Sequence, residues 1–367
     1  MNERTIPQKK FALVFIVIGA VLLAVGGGIF LMGFADPAPA FVATVSKKVF
    51  DLPVLAALIG AGVLGFGLNR YLGKKFQDRP VDLSRKAIVT YLTNNAIIIA
   101  LLALVVVICF IEPRFMQVRV VLDILTQSST RLIIALGICF TLLIAGTDLS
   151  AGRQLGFAAC LAGLLLQRPD YTGRMFDWLP SMYPNVPVWV WMALTLLIVV
   201  AVGALFGLLN GAIISYLNVP PFITTLGTQT IIYGISLIIT DAQPIGGFQK
   251  AYTELVTGRI GSSTGFQLPY LLFIALIFGL LFWFIYNKTR HGKYMYAIGG
   301  NEVAAEVSGV NTRRAKISIY MTAGIMYAIA GYLLAAKSGG TSASMGSGYE
   351  LEAIAGCTIG GVSTTGG

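Results

Sequence analysis

The sequence predicts an all-α bundle of about nine to ten membrane-spanning helices, and three observations carry that prediction. Of 367 residues, 56% are hydrophobic and 11% charged, with a mean hydropathy of +0.80, whereas an ordinary soluble domain carries roughly 25% charged residues. Apolar runs of about 20 residues, the length that crosses a bilayer, recur from one end of the chain to the other. These runs are continuous and not alternating; hydrocarbon offers no partner to an open backbone, so helices are indicated and a barrel is not.

The opening MNERTIPQKK is followed by an apolar run from Phe11 to Phe34. That run is too long for a signal-peptide core and lacks a small-residue cleavage site, so it reads as a retained helix. Further spans are expected at 53–72, 94–111, 132–146, 154–167, 188–216, 222–240, 269–286 and 317–336, and 349–361 begins another membrane element. The spans at 132–146 and 154–167 are short, which places the motif joining them inside the membrane thickness. Along span 188–216, Gly203, Gly207 and Gly211 form a small-residue stripe that lets another helix approach closely.

Basic loops are retained on the cytoplasmic side. Segment 70–86 holds Arg70, Lys74, Lys75, Arg79, Arg85 and Lys86, and segment 287–316 holds Lys288, Arg290, Lys293, Arg313, Arg314 and Lys316. Six expected spans separate them, an even number, so both fall on one face and the N-terminus is expected inside. The alternate loops 36–52, 112–130, 168–187 and 241–268 carry two basic and two acidic residues each, as an external face permits. Trp178, Trp189, Trp191, Tyr171 and Tyr183 gather around one external loop, the place of an interfacial aromatic belt. The net charge of +10 therefore belongs to the membrane surface and not to a nucleic-acid partner. Cys109, Cys139, Cys160 and Cys357 stand singly in apolar stretches and read as small core residues without a disulfide or metal role.

Three motifs interrupt the apolar pattern. In Gly146-Thr147-Asp148-Leu149-Ser150-Ala151-Gly152-Arg153-Gln154, a carboxylate sits near membrane depth, where a charge is costly, so Asp148 should face protein or water. It reads either as a turn residue capping the next helix, paired with Arg153, or as part of a helix break that exposes polar groups to a pathway. In Asn218-Val219-Pro220-Pro221-Phe222-Ile223-Thr224-Thr225-Leu226-Gly227, the prolines are expected to end one helix and the threonines to satisfy free amides of the next. In Gly299-Gly300-Asn301-Glu302-Val303-Ala304-Ala305-Glu306-Val307-Ser308-Gly309-Val310, Asn301 is an N-cap and Gly309 a stop, giving a two-turn surface helix in the largest basic loop. Its small residues suit a partner's groove, although a solvated loop helix explains the pattern equally well.

Enzymatic chemistry finds little support. No Gly-x-x-x-x-Gly-Lys-Ser/Thr phosphate loop occurs. Gly261-Ser262-Ser263-Thr264-Gly265 has nucleophile-elbow spacing, but the topology places it outside and the only histidine, His291, inside. His291 reads as an interfacial residue, and one histidine without a cysteine cluster gives no zinc or haem ligand set.

Taken in this order, and followed by Tyr349-Glu350-Leu351-Glu352-Ala353-Ile354-Ala355-Gly356 and Gly360-Gly361-Val362-Ser363, the motifs closely resemble the sugar-type permeases of binding-protein-dependent ABC importers. The resemblance covers roughly residue 94 to the end. The form Gly-Thr-Asp-Leu-Ser-Ala-Gly-Arg-Gln looks like the galactoside branch, whereas ribose-type relatives tend toward Gly-Ile-Asp-Leu-Ser-Val-Gly. The family implies a type II importer fold, with an extra N-terminal hairpin and basic linker at 1–86 and the permease domain at 87–367. Family members continue through further spans beyond the position of Gly367, so C-terminal spans are expected to be missing here.

By the same resemblance, Thr147, Asp148, Leu149 and Ser150 with Pro220, Pro221, Phe222, Thr224 and Thr225 lie at a cytoplasmic gate. Gln154 and Asn210 are candidates to line the pathway. Gly300, Asn301, Glu302, Ala304, Ala305, Glu306, Gly309 and Val310 form a coupling helix that sits in an ATPase groove. The implied partners are a cytoplasmic ABC ATPase that carries ATP and magnesium, an external solute-binding protein, a second permease copy and the lipid bilayer. The chain itself needs no cofactor and is expected to move galactose or methyl galactoside by alternating access. Ribose, another monosaccharide or a nucleoside is the alternative cargo. An ion-coupled secondary transporter is a rival that would draw on Asp148 and Arg153, and a membrane scaffold or receptor module is another.

Overall fold

A computed structural model describes residues 5–6, 8–32, 63–64, 81–82, 84–94, 96–176, 186–261 and 267–366. The chain divides into two units, residues 1–124 with 260–268, and residues 125–259 with 269–367. The expected span at 53–72 lies outside the described residues apart from 63–64, which are helical. Trp178, Tyr183 and residues 262–265 of the elbow-like motif also lie outside them.

In the first unit, β1 (Thr5–Ile6) pairs antiparallel with β2 (Val81–Asp82). Helix α1 (Gln8–Met32) is apolar from Phe11 onward, and α2 (Arg85–Asn94) precedes α3 (Ala96–Ile111). Glu112 accepts a hydrogen bond from Arg114 N at 3.2 Å and closes a short 3-10 turn over Pro113–Met116.

Helix α4 runs from Val118 to Leu143, well beyond the expected span at 132–146. The expected external loop 112–130 is therefore mostly helix. Arg119, Asp123 and the polar run Thr126–Arg131 lower local hydropathy enough to hide a helix that is continuous through them. The other helices fall within a few residues of expectation: α5 (Ala151–Leu165), α6 (Val188–Tyr216), α7 (Pro221–Ile239), α9 (Tyr270–Lys288) and α12 (Thr312–Ser338). Loop 241–268 also contains a short helix, α8 (Lys250–Thr257), anchored by buried Tyr252 and Val256. The basic segment 287–316 is largely helical, with α10 (Arg290–Gly300) and α11 (Glu302–Val307) leading into α12. A last helix, α13, spans Tyr349–Ile359. Among the described residues, α4 from Arg119, α6, α7, α9 and α12 are long and apolar enough to cross a membrane.

Helix α12 is the axis of the second unit. Two thirds of its most apolar window is buried, against 22% for α6. The glycine stripe explains how the two helices meet. A Cβ at Gly211 would lie 2.7 Å from Ile317 Cα, one at Gly207 2.8 Å from Met321 Cα, and one at Gly203 would strike Gly324 and Ala328. Backbone meets backbone along three helical turns, which only residues without a Cβ permit. Gly339, at φ +68°, ends α12, and its N–H bonds Ala335 O at 3.0 Å.

The chain then turns back along α5. A Cβ at Gly163 would lie 2.9 Å from the Thr341 side chain, one at Gly156 would strike the Met345 carbonyl, and one at Gly152 would strike Gly346 and Glu350. Residues 339–348 thus descend beside α5 toward its N-terminus before α13 begins. An apolar groove of about 570 Å³ opens between α4, α9 and α13. At its edge Arg131 Nε meets Glu352 Oε2 at 2.5 Å. Cys139 and Cys357 share the groove's wall, and Cys357 Sγ donates to Ala135 O at 3.3 Å. The four cysteines are free thiols.

Candidate functional site

The break between α4 and α5 is built on a strained turn. Ala145 adopts φ 57°, a left-handed conformation rare outside glycine, and Gly146 N returns to Thr141 O at 2.9 Å. Asp148 then points inward and is 1% exposed. Its Oδ1 accepts from Ser150 N at 2.9 Å and from Ser150 Oγ at 2.6 Å, so it closes the turn that launches α5. Tyr327 of α12 faces the same carboxylate. The pairing of Asp148 with Arg153 is not formed: Arg153 points the other way and lies 4.1 Å above the Tyr233 ring.

Ser150 is the hub of a buried joint. Its Oγ accepts from Gln154 Nε2 at 2.9 Å on the next turn of α5, and from Asn210 Nδ2 at 2.9 Å on α6. Asn210 Oδ1 in turn accepts from Thr228 Oγ1 of α7 at 2.6 Å. Ser150 and Asn210 are completely buried and Gln154 is 2% exposed. Hydrogen bonding is what allows such groups inside an apolar protein.

The second motif closes onto the first. Helix α6 ends at Tyr216, and Asn218, two residues on, takes φ 53° and redirects the chain. The prolines therefore begin the next helix: Pro220 is the N-cap of α7 and Pro221 its first residue, where the missing N–H costs nothing. Thr224 and Thr225 do not cap their own helix. Thr225 Oγ1 accepts from Leu149 N at 3.1 Å and approaches Thr147 O at 3.4 Å, so it binds the backbone of the other motif. Phe222 stays exposed. A small polar pocket beside the joint is lined by Gly146, Asn218, Pro220, Pro221, Lys316 and Tyr320.

The third motif forms the expected surface helix. Asn301 Oδ1 accepts from Ala304 N at 2.9 Å, and Gly309 at φ +86° ends the turn while Val310 N bonds Ala305 O at 3.0 Å. Gly300 closes α10 one residue before the cap. Two carboxylates fasten α11 to α12: Glu302 meets Lys316 Nζ at 2.6 Å, and Glu306 accepts from Thr312 Oγ1 at 2.5 Å. Ala305 is buried against the chain itself, whereas Ala304 is exposed with Val303 at 70% and Val307 at 86%. His291, at the start of α10, is half-buried beside Phe140, and that burial pushes its pKa below the usual histidine value.

The family profile described as "Branched-chain amino acid transport system / permease component" matches residues 120–367, a stretch that contains all three motifs. The chain belongs to this permease family. It is 46% identical, over 78% of its length and 83% of the relative's, to the galactose/methyl galactoside import permease protein MglC of Escherichia coli strain K12. The Haemophilus influenzae protein of the same name is 46% identical, over 75% of this chain and 80% of its own. The ribose import permease protein RbsC of H. influenzae is 32% identical over 76% and 79%. No solved structure matches the chain.

As a family member the chain is a multi-pass membrane permease, and its fold adds residues that sequence reasoning passed over. Thr228 completes the joint and Lys316 ties α11 to the body, yet neither lies within the three motifs. Val303 and Val307 were legible in principle, because valines four apart on a two-turn helix share a face.

Proposed function

We propose that this chain is the membrane-spanning subunit of an ATP-driven importer of galactose and methyl galactoside. The observation that carries the reading is the 46% identity to import permeases of that cargo, against 32% to a ribose permease. Sugar arrives from an external binding protein, and a separate cytoplasmic ATPase binds ATP with magnesium. A second permease copy completes the pathway. The chain lies in a bacterial inner membrane with its N-terminus inside.

The reading keeps nine to ten spans, supported by the five long apolar helices and the shorter ones at Ala12–Val25, Ile99–Ile111 and Ala151–Leu165, with 53–72 and α13 as the further members it proposes. Residues 1–86 form an added hairpin with its linker, consistent with a family match that begins at residue 120. Residues 87–367 are the permease domain.

The gate comprises Thr147 to Ser150 and Pro220 to Thr225, held shut by the Leu149–Thr225 contact. Gln154 and Asn210 stand behind it and reach the pathway when the joint opens. Residues Gly300 to Val310 are the coupling helix, presenting Val303, Ala304 and Val307 to an apolar groove of the ATPase. ATP drives the switch only if the two facing states of the bundle differ in affinity for the nucleotide-bound ATPase.

Reconstitution with the cognate ATPase and binding protein tests this. Uptake and ATP hydrolysis should rise together with galactose or methyl galactoside, and less with pentoses or nucleosides. Uptake without nucleotide would favour a secondary transporter, and stimulation by ribose alone would reassign the cargo.

A further inference from the structure

Two arginine–glutamate arrangements stand in the second unit, and they differ in kind. Arg131 Nε and Glu352 Oε2 meet at 2.5 Å and form an ion pair. Arg153 and Glu350 do not meet. Arg153 Nη1 reaches Ala343 O at 3.5 Å and Nη2 reaches Ser347 Oγ at 3.3 Å, both long, which leaves most of the guanidinium's donors unused. Its face rests on the Tyr233 ring. Glu350 is wedged beside Gly152, one residue from Arg153, and among the described residues its Oε2 has no hydrogen-bond partner.

Charges left unsatisfied between apolar helices cannot face lipid; they face water, a polar ligand or protein. The groups present here also have a common chemistry. A guanidinium donates to hydroxyl oxygens, and the Ser347 hydroxyl both donates and accepts. The exposed part of an aromatic ring offers an apolar face to the C–H side of a pyranose. We infer that Arg153, Tyr233 and Ser347 form a sugar-contacting wall of the translocation pathway. It is assembled from α5, α7 and the segment that returns from α12. Long, incomplete hydrogen bonds suit a surface that must release its cargo. The inference rests on the sugar-importer reading and adds to it the wall along which the sugar passes.

The test is thiol accessibility in the assembled, reconstituted transporter, with the unsubstituted chain as background. Ser347→Cys is nearly isosteric and lies at an exposed position. Leu197→Cys, on the 65% exposed apolar side of α6, is the control. A charged, membrane-impermeant thiosulfonate should modify Ser347→Cys at least about tenfold faster than Leu197→Cys, because charge is excluded from hydrocarbon. Galactose should slow that modification several-fold. Equal rates at the two positions, or fast modification that no sugar slows, would overturn the proposal. Protection by ribose and not by galactose would keep the wall and remove the galactose assignment. Galactose uptake by a transporter whose Ser347→Cys thiol is shielded would do the reverse.

Discussion

The joint around Ser150 and the helix at Glu302–Val307 are both short polar interruptions of an apolar chain, yet they spend their side chains in opposite directions. In the joint nearly every polar group is buried and bonded inward: Asp148, Gln154 and Asn210 converge on one hydroxyl. In α11 the carboxylates bond inward to α12, while the apolar residues Val303 and Val307 face out. The first arrangement is almost complete as it stands, with Gln154 Oε1 left without a partner among the described residues. The second leaves apolar surface uncovered, as a helix does when a partner supplies the other half of its packing. Substitutions in the two regions should therefore separate stability from coupling.

The largest effect belongs beneath the joint, where α6 and α12 touch through their backbones. Gly207→Val would drive a side chain into the Tyr320 carbonyl and Met321 Cα, atoms that cannot rotate away. Overpacking a core typically costs about 1–3 kcal/mol, and a rigid backbone obstacle places this case at or above roughly 3 kcal/mol. Thermal unfolding in detergent should show little folded protein.

Ser150→Ala comes next. It deprives Gln154 Nε2 and Asn210 Nδ2 of their acceptor and Asp148 of a donor. In soluble proteins each orphaned group costs about 1–3 kcal/mol, whereas interhelical hydrogen bonds in membranes average about 0.6 kcal/mol. A total of about 1–3 kcal/mol follows, read as a lowered unfolding midpoint. A midpoint unchanged from the parent would mean that the joint is not what holds α5, α6 and α7 together.

The two regions also differ in how far the sequence revealed them. Hydropathy located most spans because burial in lipid demands long apolar runs. It missed the first half of α4, where Arg119, Asp123 and the polar run Thr126–Arg131 interrupt the apolar pattern of a continuous helix. The break at Gly146–Gln154 was visible as a carboxylate among glycines, but its partners were not. Asn210 lies 60 residues from Ser150, and Thr225 lies 76 from Leu149; only the packing of α6 and α7 brings them together. The cap and stop of α11 were legible because Asn301 and Gly309 act on their immediate neighbours. Local chemistry can be read along the chain, and long-range pairing cannot.

That distinction gives the smallest expected change in stability and the sharpest test of the contrast. Val303→Asp with Val307→Asp alters two side chains that are 70% and 86% exposed and leaves the Asn301 cap, the Glu302–Lys316 pair and buried Ala305 in place. Surface changes of this kind shift stability by about 0.5 kcal/mol or less, so the unfolding midpoint should match the parent. If the valines enter an apolar ATPase groove, two carboxylates there meet desolvation without a partner, and binding fails. ATP hydrolysis stimulated by loaded binding protein should then be lost from a fully folded, correctly inserted permease. Retained stimulation would mean that α11 makes its contact through another face, and a lowered midpoint would mean that the valines serve the fold itself.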